Sequence, residues 1–295
     1  MSKENEHWDN FYRNPSRSWT DNNLIQSAIT QRMTGGKFWL NWLFEDYLGH
    51  VERVLCIGCG DGAHEIMIAQ NKYAHTIDAF DGSAVGIARA RTNAAEKLTE
   101  GAGRINFKCM TFDAFCQIWD ETQKYDLILF SGSLHHVTNL EAMLSKVRIL
   151  LSPSGKLVFN EYVGDCYNIY PQTRVDLINR ILLSIGPTYL NDSLPFENPT
   201  IEMVMNSDPS EAVRSQLILP FLGHYFDFQL IKHFGGSLLH PIYPKLNAWK
   251  LDDGSPESIA LVKLLIQMED ELINCGVLPN DFAFGVCTHK QAKPV

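Results

Sequence analysis

The sequence lacks any apolar run of about 18 residues, the length that a membrane-spanning helix needs. It also lacks an excess of positive charge, because 25 Lys and Arg stand against 34 Asp and Glu, for a formal net charge of −9. A pI near 5.5 disfavours a broad phosphate-binding face, although a local basic patch stays open. We therefore expect neither a membrane nor a nucleic acid as a partner.

Cysteine is scarce: seven residues, an odd number, are spread over 295 positions. The first residues, Met-Ser-Lys-Glu-Asn-Glu, form no apolar signal segment. Both features are typical of free thiols in a reducing compartment, so we expect a cytoplasmic protein. Cys56 and Cys59 have C-x-x-C spacing, but no second pair completes a four-ligand zinc site, and we expect no metal site.

No internal repeat or low-complexity tract divides the chain, and we predict a single domain over residues 1–295. Short apolar runs alternate with helical patterns, which is typical of parallel βαβ units. Helices are expected over 83–98, 139–151 and about 259–274. Strands are expected near 104–109, 125–131, 155–162, 226–234 and 282–287.

Residues 54–62 have the pattern of an apolar strand that enters a glycine-rich loop, with helical spacing after it. Such a loop turns tightly and lets a ligand approach the N–H groups of the next helix, which predicts a nucleotide-type cofactor site. Asp81 follows the next apolar stretch, where a carboxylate can bind both hydroxyls of a ribose. Gly58, Gly60 and Ala63 also satisfy the dinucleotide fingerprint, so the loop alone leaves the cofactor open.

Two further segments narrow the choice of cofactor. Residues 125–137 read as a buried strand that opens onto a loop of small residues, and residues 150–161 as a helix end, a Pro/Gly turn and a strand. With the glycine loop and Asp81, they resemble the class I S-adenosylmethionine-dependent methyltransferases over roughly residues 50–165, with four motifs in order at the family spacing. The resemblance implies an α/β fold: a doubly wound, Rossmann-like, mostly parallel seven-stranded sheet with an antiparallel last strand and a helical cap.

The resemblance also implies S-adenosylmethionine as the cofactor and assigns contacts to it. Asp81 would bind the ribose, Asp113 the adenine amino group, and Ser131 and Gly132 the methionine part. Cys56 stands where the family often has an acid, so a contact near the methionine ammonium group is missing or supplied elsewhere. The expected cofactor-binding residues are Tyr12, Gly58, Cys59, Gly60, Asp81, Gly82, Phe112, Asp113, Ala114, Ser131 and Gly132.

Two segments outside the motifs are expected to close over the site. Residues 1–48 carry an aromatic-rich helical pattern, and similar enzymes often fold such a segment over the cofactor, with Tyr12 as our candidate contact. The alternative is that these aromatics only pack against the sheet. Residues 163–222 interrupt the strand and helix alternation and predict an inserted helical cap, since insertions of this length are commonly functional.

Methyl transfer needs an aligned nucleophile, a proton acceptor where required, and exclusion of water. His136 first and His135 second are the candidate proton acceptors, because neutral imidazole accepts protons near physiological pH. A purely structural histidine pair is the alternative. Glu161 is the predicted polar partner, by orienting a substrate amine, or else it only caps the strand end.

Three residues are candidates for substrate binding. Tyr162 is positioned at the end of a predicted strand. Arg214 matches a substrate carboxylate or phosphate, or pairs within the chain with Glu211. His240 follows two glycines that suggest a bend and could face the pocket, or else it is a core or surface histidine.

The predicted activity is O- or N-methylation of a small molecule, such as a natural product or a sugar-type metabolite. Two alternatives stay open: an S-adenosylmethionine-binding cyclase or isomerase that transfers no methyl group, and an NAD-dependent oxidoreductase. No oligomeric state is predicted.

Overall fold

The computed structural model describes residues 3–15, 17–191 and 194–291. Its strands are β1 (Val51–Ile57), β2 (Ala74–Asp81), β3 (Arg104–Cys109), β4 (Tyr125–Ser131), β5 (Leu151–Tyr162), β6 (Phe226–His233) and β7 (Phe282–His289). They form one seven-stranded sheet in the order β3-β2-β1-β4-β5-β7-β6. The order reverses between β1 and β4, which is the place where open α/β sheets bind their ligands.

Most of the sheet is parallel. Ile57 of β1 lies opposite Phe80 of β2 and Phe130 of β4, so the carboxyl ends of these strands share one edge. β7 is antiparallel to both β5 and β6 and lies between them. The expected sheet, with its antiparallel last strand near the edge, is confirmed.

Helices cover both faces of the sheet, because alternate strand residues are apolar on both sides. Val54 and Cys56 of β1 belong to one buried cluster, and Leu55 and Ile57 belong to the other. The helices are α1 (Lys3–Arg13), α2 (Asn23–Thr34), α3 (Trp39–Trp42), α4 (Ala63–Gln70), α5 (Ala84–Lys97), α6 (Phe112–Ile118), α7 (Leu140–Leu150), α8 (Gln172–Leu183), α9 (Ile201–Ser207), α10 (Ile218–Tyr225), α11 (Leu239–Ile242), α12 (Ala248–Leu251) and α13 (Pro256–Asn274).

Local capping sets several helix starts near the site. Asn22 accepts hydrogen bonds from two N–H groups at the start of α2, and Ser83 and Thr111 each cap the helix that follows them. These side chains offer oxygens to N–H groups that have no partner inside the helix. They therefore fix where the loops after β2 and β3 end.

Two details differ from the sequence pattern. β5 begins at Leu151, four residues before the expected start, because Leu151 already pairs with Tyr125 across a register shift. Residues Leu43–Leu48 continue α3 as a π-helix. Among the described helices, none combines the length and the apolar character that would let it cross a membrane.

Candidate functional site

The glycine loop joins β1 to α4 with three residues in the left-handed backbone region. The φ angle is 75° at Gly58, 55° at Gly60 and 80° at Gly62. A Cβ atom at Gly58 would collide with the Ser133 side chain, and one at Gly60 would collide with the Tyr12 hydroxyl. Both positions therefore need glycine, for conformation and for space.

Asp81 supports this loop from the end of β2. One carboxylate oxygen accepts the Gly60 N–H at 2.9 Å, and the other accepts the Ser83 N–H at 2.8 Å. Burial raises the pKa of Asp81 above its ordinary value, while the two N–H groups oppose that rise. Each carboxylate oxygen keeps a further lone pair for a ligand.

Helix α1 lies over the loop because polar contacts tie it to α5. Asp9 accepts hydrogen bonds from the Ser83 hydroxyl at 2.6 Å and from the Val85 N–H at 3.2 Å. Arg89 donates to the main-chain oxygen of Tyr12. Aromatic side chains of α1 thereby reach the carboxyl edge of the sheet.

A cleft lies between α1 and this edge, with about 510 Å³ of space including the solvent at its mouth, and we call it the glycine-loop cavity. Six of the predicted cofactor residues line it: Tyr12, Gly58, Asp81, Gly82, Phe112 and Gly132. The predicted proton acceptor His136 lines it as well. The sequence did not indicate five further lining residues: Glu4, Asn5, Trp8, Thr111 and Ser133.

Five predicted cofactor residues do not line this cavity. Cys59 and Gly60 lie within the loop, and Gly60 is buried. Asp113 borders a neighbouring cavity, Ala114 belongs to α6, and Ser131 lines a larger cavity on the other side of the β4 loop. The loop after β3 thus presents Phe112 to the glycine-loop cavity rather than the two residues after it.

The larger cavity holds about 750 Å³ of space, including the solvent at its mouth, and we call it the aromatic chamber. Its walls come from the N-terminal segment, from α4, from the ends of β4 and β5, from the residue after β6 and from the start of β7. Gly132 lines both cavities, so they meet at the loop after β4. The aromatic residues of its wall are Trp19, Phe38, Trp39, Tyr162, Phe234 and Phe282.

His135 lines the chamber and is held by a buried carboxylate. Its Nδ1 lies 2.8 Å from Oε2 of Glu161, which is 1 % exposed. Burial lowers the pKa of His135, but the hydrogen bond and charge of Glu161 outweigh it and raise the pKa overall. Glu161 also accepts the N–H groups of Ser133 and Leu134, each at 2.9 Å. Glu161 thus holds His135 and the loop after β4, whereas the sequence left open whether it orients a substrate amine or only caps the strand end.

His136 faces the cap on one side and the glycine-loop cavity on the other. Its Nδ1 lies 3.2 Å from the Ser210 hydroxyl and 3.5 Å from Asp208, and Trp8 packs edge-on against its ring at 4.8 Å. Burial, followed by the charge of His135, lowers the pKa of His136 well below its ordinary value. The ring is therefore neutral at physiological pH.

One set of residues near the cap could hold a metal ion. A ring nitrogen from each of His135 and His136 and a carboxylate oxygen of Glu211 all lie within 4.8 Å of one another. Histidine and carboxylate are ordinary ligands for divalent metals. The cysteine spacing considered in the sequence could not indicate this set, because its members come from two distant segments.

Comparison with known proteins gives the family. A family model described as a methyltransferase domain matches residues 37–188, more than half of the chain. The chain belongs to the methyltransferase domain family. This domain is of the class I S-adenosylmethionine-dependent type, which disfavours the nicotinamide oxidoreductase alternative.

Related proteins agree with this methyltransferase in fold. N-methyltransferase NodS from Bradyrhizobium japonicum WM9 is 12 % identical with a TM-score of 0.54, over 98 % of this chain and all of that one. Phosphoethanolamine N-methyltransferase 2 of Haemonchus contortus is 13 % identical with a TM-score of 0.51, over 96 % of this chain and 60 % of that one. A curated relative, fusarielin synthase FSL1 of Gibberella zeae, is 31 % identical over 160 residues. That match covers half of this chain and 6 % of the relative's length.

The glycine-loop cavity of this methyltransferase fits an adenosyl cofactor. Asp81 has lone pairs free for the ribose, and the Phe112 ring offers an apolar face. A Cβ atom at Gly132 would have nothing within 4 Å, so this glycine leaves open space where the two cavities meet. The residues present therefore match what the cofactor needs at its ribose and along its tail.

A buried acid side chain lies beneath the glycine loop, although β1 has Cys56 at the position where the family often has an acid. Glu65 of α4 is 2 % exposed, and a hydrogen bond joins its carboxyl group to Cys56, the residue at the usual acid position. Its Oε2 has no hydrogen-bond partner among the described residues. Burial raises the pKa of Glu65 to about 7. Glu65 of α4 thus supplies a carboxyl group next to Cys56, the position at which the family often has an acid on the strand.

Two of the predicted substrate residues line neither the glycine-loop cavity nor the aromatic chamber. Arg214 does not pair with Glu211; both its terminal nitrogens bind Glu141, at 2.6 and 2.8 Å. It lines neither the glycine-loop cavity nor the aromatic chamber, because this ion pair holds it against α7. His240 lies behind the chamber wall, in ring contact with Tyr162, and burial lowers its pKa to about 4.

Proposed function

We propose that this methyltransferase methylates an oxygen or nitrogen atom of a small molecule. The observation that carries the proposal is the meeting of the two cavities at Gly132, with His136 on one side and His135 on the other. The bound cofactor supplies a methyl group on a sulfonium, whose C–S electron pair stays on sulfur as the acceptor's lone pair forms the new bond to carbon. NodS and the Haemonchus contortus enzyme are named as N-methyltransferases, which supports nitrogen as one of the two candidate acceptor atoms.

Asp81 would bind the ribose hydroxyls and so fix the cofactor along the glycine-loop cavity. Its carboxylate is already oriented by two backbone N–H groups, so little conformational freedom is lost on binding. Tyr12 and Trp8 would cover the cofactor from the α1 side and exclude water. The glycine-loop cavity therefore positions the methyl donor.

His136 would accept the acceptor's proton as the new bond forms, with His135 as the second candidate. His136 is buried at the wall of the glycine-loop cavity, and its orientation is set by Ser210 and Asp208 of the cap. Glu161 would act through His135 by holding its ring. General-base catalysis of this kind contributes about 10²- to 10⁴-fold in rate.

Release of S-adenosylhomocysteine in the presence of candidate acceptors tests the function. Methyl transfer predicts release that depends on the acceptor, whereas a cyclase or isomerase would convert its substrate with no release. His136→Ala should lower kcat by about 10²-fold or more and His135→Ala by less, with the exposed His75→Ala as the matched control.

The assays should be run with and without EDTA, because His135, His136 and Glu211 could bind a metal ion. If both histidine variants turn over at wild-type rates with saturating acceptor, the proton-acceptor role is wrong. Positioning alone would then account for the rate.

A further inference from the structure

We infer that the aromatic chamber is the acceptor site and that it selects a neutral, largely apolar molecule, held at one polar group by the side-chain amide of Asn160. The inference rests on the proposed function only for the reaction that follows binding. Binding itself can be measured without turnover.

The chamber lies where an acceptor must be. It shares Gly132 with the glycine-loop cavity, and Ser131 and His135 line it at the same strand end. The Gly132 N–H donates to the main-chain oxygen of Asn160 at 2.9 Å, so β4 and β5 hold this passage together. A molecule in the chamber would therefore reach the donor past a residue that has no side chain.

No Asp, Glu, Lys or Arg side chain is among the described residues that line the chamber. His135 is paired with the Glu161 carboxylate at 2.8 Å, and burial lowers the pKa of His64 to about 4. A charged acceptor would lose its hydration here and find no unpaired counter-ion. The chamber therefore disfavours both anions and cations.

Packed aromatic rings give the chamber a firm apolar wall. Phe282 lies 5.1 Å from Trp19 and 5.3 Å from Tyr162, measured between ring centroids. The Tyr162 hydroxyl donates to the main-chain oxygen of Asp165, so Tyr162 offers its ring face rather than its hydroxyl to a ligand. Aromatic faces can also attract cations, and binding of an ammonium probe measures that competing preference.

Asn160 is one of the polar residues of this wall at the passage, where its main-chain oxygen accepts the Gly132 N–H. It lies opposite Ser131 in the β4–β5 register, and its side-chain amide makes no hydrogen bond within the part of the chain that is described. An amide both donates and accepts, so it suits a hydroxyl, carbonyl or amide group and gives no charge to an ion. Asn160 therefore selects for a neutral polar group next to the transfer point.

The test uses the full chain saturated with S-adenosylhomocysteine and three probes of similar size: 2-naphthol, 2-naphthoate and 2-naphthylmethylammonium. Binding is followed by calorimetry and by the fluorescence of Trp19 and Trp39, which line the chamber. We expect 2-naphthol to bind about tenfold or more tightly than either ion. Equal affinities, tighter binding of an ion, or no binding of 2-naphthol at millimolar concentration would each overturn the inference.

Asn160→Asp tests the role of the Asn160 side chain itself, because it adds a negative charge with almost no change in size. It should weaken 2-naphthol binding and strengthen binding of the ammonium probe, each by about tenfold, with S-adenosylhomocysteine affinity kept as evidence of folding. Asn71→Asp is the matched control, since Asn71 is exposed at the end of α4. If the control shifts the preference equally, Asn160 has no selective role.

Failure of the proposed function would give a different result from failure of the inference about the chamber. The probes would then bind in the expected order, but no neutral acceptor would release S-adenosylhomocysteine. Conversely, the protein could methylate a charged acceptor and bind 2-naphthol no more tightly than the two ions. The proposed function would then stand, and the inference about the chamber would be wrong.

Discussion

Asp81→Ala is a substitution for which the structure allows the size of the loss of cofactor binding to be worked out. The carboxylate lies at the end of β2, where it lines the glycine-loop cavity and accepts the N–H groups of Gly60 and Ser83. Alanine removes the ribose partner and leaves both N–H groups without their acceptor. The variant should therefore lose ligand contacts and loop order together.

The size of the effect follows from the bonds involved. Hydrogen bonds to a charged group are worth about 1.5 to 3 kcal/mol each, and two lone pairs of Asp81 remain for two ribose hydroxyls. Loss of one bond alone predicts about tenfold weaker binding, and loss of both predicts about 10²- to 10⁴-fold. Asp81→Asn should lie between wild type and Asp81→Ala, because one of its oxygens still accepts.

Calorimetric titration with S-adenosylhomocysteine measures this effect directly. Circular dichroism melts of each variant show that the titrated protein is folded at the temperature used. Asp120→Ala serves as the control, since this exposed acid lies away from both cavities. An affinity for Asp81→Ala within about threefold of wild type would refute the ribose assignment, because even one lost bond exceeds that limit.

Three further predictions concern the loop, the buried acid and the covering segments. Gly60→Val should remain folded by circular dichroism yet lose S-adenosylhomocysteine binding in titration, because its side chain would displace Tyr12; retained binding would place the cofactor elsewhere. Glu65 has a folded-state pKa of about 7 against an ordinary 4.5, so its stabilisation is full below about pH 4.5 and is lost as the pH rises through 7. Urea unfolding should then show Glu65→Gln more stable than wild type at pH 8 by up to about 3 kcal/mol but not at pH 4.5, whereas a pH-independent difference would contradict the burial argument. If α1 and residues 163–222 close over the site, amide exchange in both should slow when S-adenosylhomocysteine and acceptor bind, and protection limited to the glycine loop would count against a lid.

The fold was largely predictable because its signals are local. Apolar runs mark β1, β2 and β4, the glycine loop marks the turn after β1, and the parallel arrangement brings the loops after these strands to one edge. The residues predicted at that edge, such as Asp81 and Gly132, line the cavity. The early start of β5 was not predictable, because it depends on pairing across a register shift.

The rest of the site depends on contacts between distant segments. Glu4, Asn5 and Trp8 reach the glycine-loop cavity because Asp9 binds Ser83, 74 residues further along the chain. No periodicity or spacing reveals such a contact. The aromatic pattern before residue 48 was the available signal, and it identified Tyr12 while leaving its polar neighbours unassigned.

The position of β7 has a consequence for how the protein matures. Residues 282–289 pair with β5 on one side and with β6 on the other, so a late segment of the chain becomes an interior strand. During synthesis the first five strands can pair in order, but β6 has no partner until β7 emerges from the ribosome. Phe282, the first residue of β7 and part of the aromatic-chamber wall, takes its place only then. A nascent chain could therefore assemble the strands around the glycine-loop cavity before the wall of the aromatic chamber is complete.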